Sequence, residues 1–181
     1  MSYGPFADAT TFSRWLVDRA RPTDPFAFSV TNKTGRAVGI TSLRDIRPEM
    51  RVIEVGHVVY SPALQGTPLA TETQYLLARY VFEELGYRRY EWRCNTLNAA
   101  SCRAALRLGF TLEGVFRQHM IVKGHSRDTA WYAMLDREWP SRKLAFERWL
   151  TPNNFDAGGR QRIRLSDFHA SNRFGDEEAS S

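Results

Sequence analysis

The sequence is poor in the residues that mark several common protein classes. It has two cysteines, Cys94 and Cys102, in 181 residues. Two thiols cannot staple a disulfide scaffold, and a reducing cytoplasmic setting is the expectation. Four scattered histidines, at positions 57, 119, 125 and 169, fall in no metal-ligand spacing with the cysteines, so no metal is expected. Runs approaching 18 apolar residues are missing, which argues against a membrane-spanning helix. Ser2, Gly4, Pro5, Asp8, Thr10 and Thr11 interrupt the start, so a signal segment is not expected there. There is no internal repeat and no low-complexity run.

The composition fits one folded domain. Hydrophobic residues make up 43% and charged residues 25%, enough for a core and unlike a disordered chain. Net charge is +5, a mild excess. Arg88-Arg89, Arg103/Arg107 and Arg160, Arg162 and Arg164 are spread along the chain. A nucleic-acid binder would gather such residues with aromatics on one face, so neither nucleic acid nor membrane is expected as a partner. A few well-placed arginines serve an anionic small ligand equally well.

Periodicity and breakers give the order of elements. Asp8 caps a helix to about Arg19, with Phe12, Trp15, Leu16 and Arg19 at helical spacing. Residues 26–31 and 38–43 form a hairpin about Asn32-Lys33-Thr34-Gly35-Arg36. Arg47-Pro48-Glu49-Met50 is a turn, and Val52 to Tyr60 is a long β-forming run. Ser61-Pro62 ends that strand. A helix with an apolar stripe then runs to about Leu85, and Gly86 stops it. A strand at 89–94 is followed by a helix capped by Asn98 and ended by Gly109. Three strands are expected at 111–115, 119–123 and 129–135, then a helix at 142–150. From Asp156 the composition turns polar, the mark of a loose tail with little to bury. The division expected is one domain over 1–150 and an extended or partly disordered tail over 151–181. Strand–helix–strand links beside an antiparallel meander predict an α+β (mixed α/β) sheet.

The stretch with most chemical content is the Val52–Tyr60 strand, the turn around Gln65-Gly66, and the helix start after it. A helix N-terminus presents unsatisfied N–H groups and a partial positive charge, and Gly66 admits close backbone approach. Pyrophosphates bind at such places. Further on, Asn98-Ala99-Ala100-Ser101 leads to Arg107-Leu108-Gly109-Phe110.

These motifs, in this order, resemble the GNAT N-acetyltransferases, in particular the RimJ/RimL-like branch. The matching residues are Glu54-Val55-Gly56-His57 with Tyr60-Ser61-Pro62, then Gln65 to Glu72. Asn98, Ser101 and Leu108-Gly109-Phe110 follow, and finally Arg127-Asp128-Thr129 with Trp131 to Met134. The likeness covers about residues 25–140. It implies a GNAT-like fold, a twisted mixed sheet flanked by helices, with acetyl-CoA as co-substrate. It also implies transfer of the acetyl group to a primary amine, either a protein N-terminus or a small molecule. A homodimer is open as its assembly.

The resemblance implies roles for individual residues. Gln65, Gly66, Thr67, Pro68, Leu69, Ala70 and Thr71 would form the pyrophosphate turn. Backbone at Val58, Val59 and Tyr60 would hold the pantetheine, and Asn98 the cofactor arm. Glu54 would be the base and Ser101 would face the departing sulfur. Phe6, Phe12, Phe116, Arg117 and His119 lie on elements that carry substrate residues in this fold. Each assignment has a plainer reading beside it. Glu54 alternates with Ile53 and Val55 and could be the wet face of a strand. His57 could be a packed core histidine, Asn98 only a helix cap, and Ser101 a residue that bonds its own turn. Cys102 and the five tryptophans read as packing.

Three departures from the family pattern stand out. Pro68 replaces a glycine and removes one amide donor, although its φ suits a first helical position. Ala105 stands where many members carry a tyrosine, which favours Ser101 as the residue near the sulfur. The strand that usually precedes the first helix is missing. Pro68, Ala105 and the missing strand also keep open a non-catalytic acyl-CoA-binding or regulatory module.

Overall fold

A computed structural model describes residues 4–21 and 23–170. Its order is α1 (Ala9–Ala20), β1 (Phe26–Thr31), β2 (Ala37–Arg47), β3 (Val52–Tyr60), α2 (Pro68–Arg79), β4 (Arg89–Asn95), α3 (Ala99–Arg107), β5 (Thr111–Val122), β6 (His125–Leu135) and α4 (Trp139–Leu150). The six strands make one sheet in the order β1-β2-β3-β4-β6-β5. Only β3 and β4 run parallel, and α2 is their crossover. The mixed α+β sheet expected from the element order is therefore present. Among the described residues no strand precedes α1.

Local chemistry sets the helix starts. Asp8 accepts the Thr11 amide at 2.7 Å and Asn98 the Ser101 amide at 3.1 Å, as expected of N-caps. Thr67 caps α2 with Pro68 as its first residue, where the missing N–H costs nothing to the helix itself. After Arg79 the helix widens into a π-type turn over Tyr80–Glu84.

Alternation along the strands sorts the two faces. Ile53 and Val55 of β3, Tyr90, Trp92 and Cys94 of β4, and Ala130, Tyr132 and Met134 of β6 point into one core. They meet Tyr75, Leu77, Ala78, Ala105, Leu108, Phe146 and Trp149 from the helices. The residues between them, Glu54 on β3 and Arg89, Glu91 and Arg93 on β4, therefore stand on the opposite face. Glu54 pairs with Glu91 across the parallel ladder, so that face is charged where the other is apolar.

Two expectations are corrected. The three late strands are two. β5 runs unbroken over Thr111–Val122 and turns tightly at Lys123-Gly124 into β6. A register shift between Phe116 and Met120 bends the alternation there and mimics a break. The segment after Asp156 also has something to bury. Leu165 is fully buried and Phe168 packs against the core, within a helical stretch at 165–170. Asn154 secures the approach by accepting the Ile163 amide at 3.0 Å. Polar composition hid two apolar anchors at helical spacing. The acidic end, Asp176-Glu177-Glu178, lies outside the described residues.

A stability prediction follows from that anchor. Leu165→Ala should cost about 3 kcal/mol, as other buried leucines do on truncation, and lower Tm by roughly 6–12 °C. A thermal melt checks it, and an unchanged Tm would mean that the segment does not dock.

Candidate active site

The pairing of β3 with β4 stops at Val55 and Trp92. Beyond that point Gly56–Tyr60 stays with β2 and Arg93–Asn95 stays with β6. The two parallel strands part, leaving backbone of β3 open on the side that faces β4. A bulge marks the parting. Ile40 pairs with Val59 and Ser42 with Gly56, so one residue of β2 opposes His57 and Val58. His57 holds φ +49°, which an ordinary residue adopts seldom. A second irregularity lies between Arg44 and Arg47, where Asp45 holds φ +46°. Two such residues flanking Glu54 are the kind of local strain that gathers at functional sites.

The bulge also corrects the place of His57. Its Nδ1 lies 2.8 Å from the Ser42 hydroxyl, on the Ser42/Gly56 side rather than in the apolar core. The positive φ turns the side chain over. Burial, then the charges of Arg44 and Arg19, pull its pKa down to about 4, so it is neutral at neutral pH.

Glu54 is not the wet face of a strand. It is 3% exposed, and arginines lie over it. Arg93 donates to its Oε2 through Nε at 2.6 Å and through Nη2, and Arg44 Nε lies 3.8 Å away. Arg93 also pairs with Asp45. Gly56 makes the Arg44 crossing possible, since a Cβ there would stand 2.4 Å from Arg44 Cδ. Glu91, likewise buried, accepts from Arg47 at 2.5 Å and from Arg89 at 2.7 Å. Burial is the largest influence on Glu54 and raises its pKa to about 8. Arg44 opposes the rise and Glu91 adds to it. The Arg93 contact favours the carboxylate, against burial. Burial and the neighbouring Arg44 and Arg127 charges in turn bring Arg93 down to about 10.

Ser101 lies on the other face of the sheet from Glu54, against the Trp92 indole. Its hydroxyl accepts from Trp92 Nε1 at 3.0 Å. The Asn98 side-chain oxygen accepts from the Ser101 amide, which leaves its amide nitrogen and one oxygen lone pair for a ligand. Cys102 is half-buried, with its sulfur 3.5 Å from Cys94.

The turn before α2 is open. Gly66 holds φ +72°, and among the described residues no heavy atom beyond its two chain neighbours lies within 4 Å of where its Cβ would be. Thr67 donates its hydroxyl to Leu64 O at 2.7 Å and accepts from the Ala70 amide at 3.4 Å. Gln65 braces the turn by donating to Tyr60 O at 2.8 Å. Thr71 is buried and accepts from Arg107 at 3.0 Å. The cradle at Gly66 and the free edge of β3 suit a ligand with a pyrophosphate and an extended amide-bearing arm.

Comparison with known proteins gives the family. A family model described as an acetyltransferase (GNAT) domain matches residues 1–111. The chain belongs to the GNAT acetyltransferase family. A GCN5-related N-acetyltransferase from Brucella melitensis superposes with a TM-score of 0.91 at 46% identity, covering 94% of this chain and 77% of that one. A GNAT-family structure from Chromobacterium violaceum ATCC 12472 gives a TM-score of 0.73 at 45% identity, over 77% of this chain and 71% of that one. "Putative ribosomal N-acetyltransferase YdaF" of Bacillus subtilis (strain 168) is 30% identical over 109 residues, 60% of this chain and 59% of YdaF. The chain thus spans less than two thirds of the length of that curated relative. Among the described residues no helix is long and apolar enough to cross a membrane.

Several site residues went unread in the sequence. The sequence alone marks none of Arg44, Asp45, Arg47, Glu91 and Arg93 as site residues, and it reads Trp131 as packing. In the structure the Arg93 guanidinium lies 4.4 Å from the centroid of the Trp131 ring. Phe116 and His119 join the same group, with ring centroids 5.0 and 6.1 Å from Trp131. The available signal was the alternation Arg89, Glu91, Arg93, which puts three charges on one face of a buried strand.

Proposed function

We propose that the protein transfers an acetyl group from acetyl-CoA directly to a primary amine. The observation that carries this reading is the parting of β3 and β4 beside the open Gly66 turn. A ligand laid along that gap would meet the Gly66 turn at one end and the open edge of β3 beyond it, with the Glu54 carboxylate buried just before the parting. Bound acetyl-CoA would supply the acetyl group as an activated thioester. The amides of Gly66 and Leu69 would take the pyrophosphate, aided by the α2 N-terminus, while those of Thr67 and Ala70 already bond Leu64 O and Thr67. The bulged backbone from Val58 to Tyr60 would hold the pantetheine and polarise the carbonyl. Glu54, or a water on it, would accept the proton that the amine must lose to attack. This requires Arg93 to swing or share its contact, and Asp45 is placed to receive it. Ser101, across the sheet, would donate to the departing sulfur.

A second reading, an acyl-CoA-binding module without turnover, is favoured by the Arg93 contact that occupies Glu54. A thiol-release assay with acetyl-CoA and a panel of amines separates the two. Amine-dependent release supports the enzyme, and CoA binding without release supports the module. For the homodimer, the exposed apolar residues Leu112, Val115, Phe116 and Ile121 on edge strand β5 are the surface that favours it. A cytoplasmic location is also part of this proposal and rests on a sequence with two cysteines in all.

Ser101 has its own test. Ser101→Ala should lower kcat and kcat/KM together by about 10²-fold, since the lost hydrogen bond forms only as charge develops on sulfur. It should also cost about 1 kcal/mol of stability, because Trp92 Nε1 loses its acceptor. A variant that melts lower yet turns over at the parental rate would leave Ser101 a purely structural acceptor.

A further inference from the structure

An open depression of about 300 Å³ lies on the charged face, beside the point where β3 and β4 part. Asp24, Asp45, Ile46, Arg47, Arg93 and Trp131 line it. Asp24 is already engaged, accepting the amides of Asp45 and Ile46 at 3.0 Å each. It pins the bulge and leaves Asp45 as the lining carboxylate nearest Glu54, joined to it through Arg93.

Hydrogen-bond accounting then gives the depression a polarity. Among the described residues, Arg47 Nε and Trp131 Nε1 are buried and have no partner. So is Arg127 Nε, four residues from Trp131 on the same face of β6 and outside the lining itself. All three are donors. An unpaired buried donor is costly, and such atoms in native structures call for a partner. A donor set of this kind is complemented by an acceptor, best by an anion, and an arginine is shaped for a carboxylate. The other side of the depression carries Asp45, with Glu54 behind it, which suits an ammonium. Cationic and anionic groups thus line one small opening.

We propose that the acceptor is an amino carboxylate of amino-acid size. Its amine sits toward Asp45 and Glu54, and its carboxylate is held by Arg47 with the Trp131 indole N–H. This rests on the acetyl-transfer reading and adds the substrate class to it. A polyamine is disfavoured, because its second ammonium would meet Arg47 and Arg93. A peptide N-terminus offers a neutral carbonyl in place of the carboxylate and satisfies the donors less well.

The test compares matched acceptors at fixed acetyl-CoA by thiol release. An apolar amino acid is set against its C-terminal amide, its decarboxylated amine, and spermidine. The amino acid should show at least 10-fold higher kcat/KM than each of the others. Arg47→Met should shrink that preference, mainly through KM. Trp131→Phe keeps a ring for Arg93 and removes the N–H, and should shrink it in part. Equal or better rates on the amide would overturn the proposal in favour of a peptide N-terminus. Equal or better rates on the decarboxylated amine or spermidine would overturn it outright. If no acceptor releases thiol, the transfer reading fails separately. Calorimetric titration of the CoA-loaded protein with the amino acid then decides the subsite. Heat that Arg47→Met abolishes upholds the site, and no heat rejects it.

Discussion

Gly66→Asp should weaken CoA binding by at least about 100-fold, measured by calorimetry, while leaving the thermal melt close to that of the parent. Gly66 stands at φ +72° with open space beyond it. An aspartate can be accommodated sterically, at some strain in the backbone. What it cannot do is coexist with a pyrophosphate. Its carboxylate would stand among the amides meant for phosphate oxygens and would oppose the field of the α2 N-terminus. Like charges at a few ångströms cost several kcal/mol at the effective dielectric of a protein surface, about 4 kcal/mol at 4 Å. The predicted loss is thus a modest reading of that figure. Parental affinity in the variant would place the phosphates elsewhere.

Glu54→Gln should lower turnover at neutral pH by about 10²-fold or more, the usual contribution of a positioned base, with CoA affinity nearly unchanged. The pH profile carries the sign. A base whose pKa is raised to about 8 is mostly protonated at pH 7 and becomes active as pH rises through 8. In the parent kcat/KM should climb over that interval, and the glutamine variant should lack that limb. Its deficit should narrow further up, where the free amine no longer needs a base. Arg93 gives a second readout. Without the carboxylate it keeps Asp45 as its partner, so the variant should fold. An undiminished rate would make Glu54 an anchor for Arg93 and nothing more.

These two residues show how unevenly the sequence speaks. The Gly66 turn was legible because its signal is local: a strand end, a glycine and a proline at the first helical position all lie within ten residues. Strands 26–31 and 52–60 were legible for the same reason, as β-forming runs between clear breakers. Asn98 could be read as a cap from its place alone, and the structure bears that out.

What escaped was non-local. For Glu54 the alternation of its neighbours leaves a solvated strand residue standing beside the base as a reading, yet it is buried by Arg44 and Arg93, which come from two other strands. Its pairing with Glu91 depends on a parallel register 37 positions away in sequence, which no short window contains. The bulge at His57 is set by the pairing of β2 with β3, so the phase of the alternation after Gly56 could not be read from β3 by itself. Trp131 was counted as packing because a tryptophan usually is. Only the fold reveals an arginine on its face and an unpaired indole N–H beside a depression. Leu165 and Phe168 were lost in a polar stretch, since two anchors are enough to dock a short segment but too few to make a pattern.

The central claim is that the cofactor lies where β3 and β4 part. A crystal structure of the protein with CoA tests it most directly. The pyrophosphate should lie within hydrogen-bond distance of the amides between Gly66 and Ala70. The pantetheine should run along Val58–Tyr60, and its sulfur should reach the space between Ser101 and Glu54. Density for CoA anywhere else, with β3 and β4 closed against each other, would contradict the account.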